Sequence, residues 1–188
     1  MNLENTKRIV IKIGSSLLFQ EDNNKLNEKW LLSLAQDIRY LNEKNKEVII
    51  VTSGAIALGA KDLDLDNNEM KLDINQAISS VGQIHLMSSY KKAFEKNELK
   101  ISQILLTLDD TEQRRRSINA RRTIDTLLKM GIVPIVNEND TIATSEIKYG
   151  DNDRLASRVA QITSSDCLIL LSNINGLYSS CLLYTSDA

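Results

Sequence analysis

Four short segments of the chain carry side chains able to hold or move charge, and each follows or borders an apolar run. The first is Lys12-Ile13-Gly14-Ser15-Ser16, a lysine with a glycine and two hydroxyls close behind. An ammonium beside close-approach backbone N–H groups suits phosphate oxygens. A lysine that merely faces solvent from a strand end has the same sequence appearance. No GxxxxGK[ST] and no GxGxxG occurs, so neither a Walker loop nor a dinucleotide fingerprint is present. The second segment is Thr52-Ser53-Gly54-Ala55, after EVIIV and before AIALGA. Such a strand–helix junction offers free N–H groups to an anion, or simply a helix capped by Ser53. The third, Asn137-Glu138-Asn139-Asp140-Thr141, provides consecutive hydrogen-bonding side chains that suit an amino acid's ammonium and carboxylate, although Asn and Asp also make ordinary turns. The fourth, Gly150-Asp151-Asn152-Asp153, precedes RLASRVA. Two carboxylates and an amide near a lysine would orient cations around a transferring phosphoryl group, or would cap the helix.

These segments need a scaffold, and the hydrophobic pattern supplies one. Arg8–Ile13, Glu47–Thr52, 101–106, 133–136 and Cys167–Leu171 read as strands, mostly β-branched and apolar on both alternations, as parallel strands covered on two faces should be. Leu31, Leu34, Ala35, Ile38 and Leu41 repeat at helical spacing, and 74–94, 121–130 and 154–162 read as further helices. Gly131 stands where a helix should stop. The single proline, Pro134, is expected at the beginning of its strand, where no ladder donor is needed. Residues 62–71 are polar enough for a surface loop. The whole is one α/β domain, and its candidate segments fall at carboxyl ends of strands, where such sheets bind ligands.

Composition removes other classes. The 188 residues are 42% hydrophobic, with 23 Lys+Arg against 25 Asp+Glu, so there is no basic excess for generic nucleic-acid or anionic-membrane binding. Two cysteines and one histidine cannot build a disulfide framework or a Cys/His zinc set. No apolar run approaches the ~20 residues that span a bilayer, and no signal peptide is visible. The expectation is a cytoplasmic protein with no nucleic-acid or membrane partner. Arg114, Arg115, Arg116, Arg121 and Arg122 read as a solvated or subunit-facing helix surface. His85 lies far from every motif, Cys167 reads as a core thiol and Trp30 as a packing anchor.

In order and spacing, KIGSS, VTSGAI, NENDT, GDND and the later LLSNINGLY resemble the amino-acid kinase family, in its glutamate-phosphorylating branch. The resemblance runs from about Arg8 to Tyr178 and includes VGQ at 81–83, QILLT at 103–107 and NAR at 119–121. It implies a three-layer αβα sandwich around a mainly parallel sheet. It also implies transfer of the γ-phosphoryl group of ATP, with Mg2+ bound to the nucleotide, to the γ-carboxylate of L-glutamate, the first step of proline biosynthesis. On that resemblance the catalytic residues are Lys12, which neutralises charge on the moving group, and Asp153, which holds Lys12. Glutamate falls to Ser53, Asp140 and Asn152. ATP falls to Lys12, to the N–H groups of Gly14 and Ser15, and to Ser172 and Asn173, and no side chains hold a metal. Ser172-Asn173 stands where the family usually has Thr-Asp. A homo-oligomer is implied as well, with glutamate-5-semialdehyde dehydrogenase as the next enzyme. Rival readings are family members acting on acetylglutamate, aspartate, carbamate or a nucleotide, and a non-catalytic amino-acid sensor of the same fold. The first two usually show paired glycines where this chain has Gly-Ser-Ser, and a sensor has no use for Lys12 and Asp153.

The family's remaining nucleotide-site half, with a Gly-rich segment and a second lysine, should follow LLSNINGLY. The chain instead runs SSCLLYTSDA. Residues 1–180 are therefore expected to be the N-terminal portion of a single kinase domain, incomplete at its C-terminus. Residues 181–188 resemble a translated transposon-end adapter and are expected to be a non-native tail. On this expectation the 188-residue chain is inactive and the intact protein active. The RNA-modification-type domain that some members carry is likewise not among these 188 residues.

Overall fold

The computed structural model describes residues 3–20, 26–65, 71–143 and 151–173. Five strands, β1 (Arg8–Ile13), β2 (Glu47–Thr52), β3 (Lys100–Leu106), β4 (Ile132–Glu138) and β5 (Cys167–Leu171), form one parallel sheet in the order β3-β4-β2-β1-β5. The helices are α1 (Ser15–Leu18), α2 (Glu28–Glu43), α3 (Ala55–Asp62), α4 (Leu72–Glu95), α5 (Leu108–Glu112), α6 (Arg114–Lys129) and α7 (Asp151–Ile162).

Period-two alternation sorts the strand residues between two cores. Ile9, Ile11, Val48, Ile50, Val133 and Ile135 pack on one face with the apolar stripes of α2 and α4. Val10, Ile49, Val51 and Val136 pack on the other against Ile124 of α6 and Leu155, Ala156 and Val159 of α7. Two helical layers on a parallel sheet make the expected αβα sandwich. Cys167 is buried in the first core and Trp30 packs against it.

The differences from expectation have local causes. Helix α6 begins at Arg114 rather than 121, because a first half rich in exposed arginine hides the 3.6-residue period. Pro134 is the third residue of β4, not its first. Its pairing with β2 begins only at Ile135, so the missing N–H falls ahead of that ladder. Gly131 has a φ of +70° just after α6, the left-handed stop that a helix end favours. Of the polar loop 62–71, Leu63–Leu65 are exposed, and 66–70 lie outside the described residues. So do Gly150, the turn beyond Asn173, and the tail 181–188. No helix among the described residues is long and apolar enough to cross a membrane.

Candidate active site

Alternation places Lys12 on the same face of β1 as Val10, the face that α7 covers. Asp153 lies in the first turn of α7, where the helix dipole favours a carboxylate. Its Oδ1 meets Lys12 Nζ at 2.7 Å. The lysine side chain is 12% exposed and the aspartate 49%, so the ammonium is enclosed while its counter-ion stays wet.

Just past β1, Gly14 occupies the N-cap of α1 in extended backbone. Its N–H, expected to face a phosphate, is engaged by the Leu171 carbonyl at 3.2 Å, because the hydrogen bonding to β5 runs on one residue past the end of β1. Ser15 opens α1 behind it. A Cβ on Gly14 would sit 3.6 Å from Lys12 Nζ, so the glycine leaves room beside the ammonium. Ser172 and Asn173 follow Leu171 and are exposed at the end of β5. No hydrogen bond or ion pair among the described residues joins them to Lys12 or Asp153.

At the end of β2 the chain turns through Gly54, whose φ of +99° suits glycine alone. Gly54, not Ser53, is the N-cap of α3. Ser53 is free to accept, through Oγ, a hydrogen bond from Asn152 Nδ2 at 2.8 Å. The same amide donates to the Thr52 carbonyl at 2.9 Å, tying α7 to the end of β2. Thr52 itself points to the opposite face, where its hydroxyl lies 2.9 Å from the Tyr90 hydroxyl. Burial pushes that phenol well above its ordinary pKa, against the opposing effect of the Thr52 bond.

From β4, Asn137 shares the α4 face with Val133 and Ile135. Its Nδ2 donates to Gln83 Oε1 at 2.8 Å, and its Oδ1 faces Asn152 Nδ2 at 3.4 Å. Asp140, 7% exposed, accepts a short hydrogen bond from the Ser79 hydroxyl of α4. Ser79, Gln83, Glu138 and Asp140 line a groove of about 260 Å³. Lys12, Ser53, Asn152 and Asp153 are thus brought together directly, and Asp140 is tied to α4, which reaches Asn152 through Gln83 and Asn137. Among the described residues no three His, Cys, Asp or Glu side chains converge as a metal site would require.

From sequence alone no role falls to Ser79 or to Gln83 of the VGQ segment, and Asn137 enters only as one member of the polar NENDT run. Ser79 and Gln83 stand four apart on α4, among the buried Ile78, Gly82, Leu86 and Tyr90. Polar residues at helical spacing inside a buried stripe were the signal. The same helix packs on α3 with backbone against backbone. A Cβ on Gly82 would fall 1.8 Å from the Ala55 carbonyl oxygen, and one on Gly59 would fall 2.0 Å from that of Ile78.

An enclosed cation and a polar groove at the carboxyl ends of a parallel αβα sheet define a small-ligand domain of the doubly wound α/β class. The chain belongs to the amino acid kinase family, whose model matches residues 7–181. It is 62% identical over 179 residues to a glutamate 5-kinase of Pelagibacter ubique (strain HTCC1062), covering 95% of this chain and 48% of that protein. It is 53% identical over 178 residues to a glutamate 5-kinase of Rhizobium rhizogenes, covering 95% and 46%. The chain spans about half the length of the curated relatives it matches. Among solved structures, UMP kinase from Bacillus anthracis superposes with a TM-score of 0.61 at 16% identity, over 97% of this chain and 71% of that one. UMP kinase from Ureaplasma parvum gives 0.59 at 21% identity, over 93% and 73%. These two likenesses concern the fold.

Proposed function

We propose that the protein carrying this chain phosphorylates the γ-carboxylate of L-glutamate with ATP, yielding L-glutamyl 5-phosphate and ADP, the first step toward proline. The observation that carries the reading is the enclosed Lys12 ammonium, paired with Asp153, beside the Ser53–Asn152 corner. The curated relatives named glutamate 5-kinase support the choice of acceptor. A γ-carboxylate oxygen of glutamate attacks the γ-phosphorus, and the bond to the bridging oxygen breaks, leaving ADP with the electron pair. The acceptor is already ionised near pH 7, so no general base is needed. Positioning and charge neutralisation carry such a transfer.

Lys12 neutralises charge on the moving phosphoryl group and Asp153 fixes the lysine. Ser53 and Asn152 hold the glutamate, and Asp140 receives its ammonium. ATP enters as its magnesium complex, and Gly14, Ser15, Ser172 and Asn173 border the nucleotide. The working protein is an assembly of identical subunits, which light scattering on the full-length protein tests. The activity itself is tested by ADP release from the full-length protein with glutamate, acetylglutamate, aspartate and carbamate in turn, trapping the acyl phosphate with hydroxylamine. Glutamate-dependent turnover is expected. Preference for another acceptor, or glutamate binding without ATP turnover, rejects the reading.

A further inference from the structure

The amides that link α4 to α7 form a chain unfinished at both ends. Asn152 Nδ2 points to Asn137 Oδ1, and Asn137 Nδ2 donates to Gln83 Oε1. The three groups therefore run head to tail. Among the described residues, Gln83 Nε2 at one end meets no acceptor and Asn152 Oδ1 at the other meets no donor, although both atoms are shut off from solvent. Gln83 is 9% exposed and lines the groove with Ser79 and Asp140. Buried donors left unmet are rare in native proteins and call for a reason. A methionine would fill the same place on α4, beside Leu86, without stranding a donor.

Accepting the 2.8 Å bond from Asn137 polarises the Gln83 amide, which makes its own N–H a stronger donor. A carboxylate is the group that best matches it. Two acids, Glu138 and Asp140, line the same groove, and no Lys or Arg does. An anion entering there is repelled unless it finds a neutral donor, and Gln83 is a buried one whose Nε2 meets no acceptor among the described residues. Resting on the proposed glutamate phosphorylation, we propose that Gln83 is a specificity-determining residue for the acceptor. Its Nε2 donates to the substrate α-carboxylate, Asp140 takes the adjacent ammonium, and Asn137 fixes the orientation of the Gln83 amide.

The test compares L-glutamate with its α-amide, which keeps the reacting γ-carboxylate but replaces the α-carboxylate. In the full-length protein, Gln83→Glu keeps an acceptor for Asn137 and sets a negative charge against the α-carboxylate. Gln83→Met removes the donor at similar size. The ratio of kcat/KM for glutamate to that for the α-amide should fall about tenfold or more in both, through KM, with the KM for ATP unchanged. A merely structural role lowers both acceptors alike and leaves the ratio intact. A fallen ratio in either variant of wild-type thermal stability supports the assignment, and an unchanged ratio in both overturns it. Calorimetry on the wild type guards against variants that fail to fold. Glutamate should bind about tenfold or more tightly than the α-amide, and equal affinities overturn the proposal. Wild type that phosphorylates glutamate while the ratios stay fixed rejects Gln83 alone. Wild type that leaves glutamate untouched rejects the activity and this assignment together.

Discussion

The two ends of the same sheet treat their polar groups differently. At the amino end of β1, Arg8 bonds Glu47 of β2 at 2.8 Å, meets Asp125 of α6 at 2.7 Å, and donates to the Thr163 carbonyl after α7 at 2.6 Å. Burial works against that guanidinium, yet the two carboxylates hold its pKa above the ordinary value. Nearby, Asp166 accepts the Lys7 and Arg8 backbone N–H groups at 2.7 and 2.8 Å. At the carboxyl end of β1, Lys12 has one carboxylate partner, and buried atoms of Gln83 and Asn152 have none among the described residues. One end closes its bonds within the protein and holds layers together. The other leaves bonding capacity for something that arrives. Charge at the first should therefore set stability, and charge at the second should set rate and affinity.

The comparison breaks most sharply at Lys12. In the full-length protein Lys12→Ala should lower kcat by a hundredfold or more, about 3 kcal/mol of transition-state stabilisation, while the KM for glutamate moves little. Steady-state kinetics and a thermal melt together check it, since the melt should scarcely change. The mirror experiment is Arg8→Met, which strands Glu47 and Asp125. It should cost about 3 kcal/mol in denaturant unfolding and leave kcat/KM within about twofold. A catalytic loss from Arg8→Met at full stability would undo the division between the ends. Asp140→Ala should come next, weakening glutamate binding by about 2 kcal/mol in calorimetry without changing ATP affinity.

The smallest effect belongs to Asp166. Its carboxyl is held below the ordinary aspartate pKa by the Arg8 N–H first and the Lys7 N–H second. A lowered folded-state pKa contributes stability above the unfolded value of about 3.9, lost as pH falls through the folded value. Asp166→Asn should therefore melt slightly below wild type at pH 7. The gap should close as pH drops below about 4. A gap that persists in acid would mean that shape rather than charge holds this corner.

Much of this was legible in the sequence. Strands β1 and β2 matched their observed bounds because parallel strands buried on both faces are written as largely apolar runs, and the apolar run of β5 matched as well although that strand is an edge with only Cys167 buried. Strand β4 ran further than expected because Asn137 and Glu138 look like turn residues until the fold shows them paired with Leu105 and Leu106. Lys12, Ser53, Asn152 and Asp153 stood out as polar residues directly beyond or beside apolar runs. Gln83 did not, since a polar residue on a helix usually faces water. Only the placement of α4 beside Asn137 of β4 turns that side chain inward.

The glycine contact between α3 and α4 has a consequence for motion. With Gly59 and Gly82 letting backbone touch backbone, neither helix can slide along the other without driving into the Ile78 or Ala55 carbonyl. Packed this way, the two helices form one rigid unit for collective movement, which in proteins runs on the microsecond to millisecond scale. Ser53, at the foot of α3, and Ser79, on α4, then keep their spacing if that unit shifts. A widening of the groove would then fall between this unit and the end of β4, the gap that the hydroxyl–carboxylate bond from Ser79 to Asp140 spans.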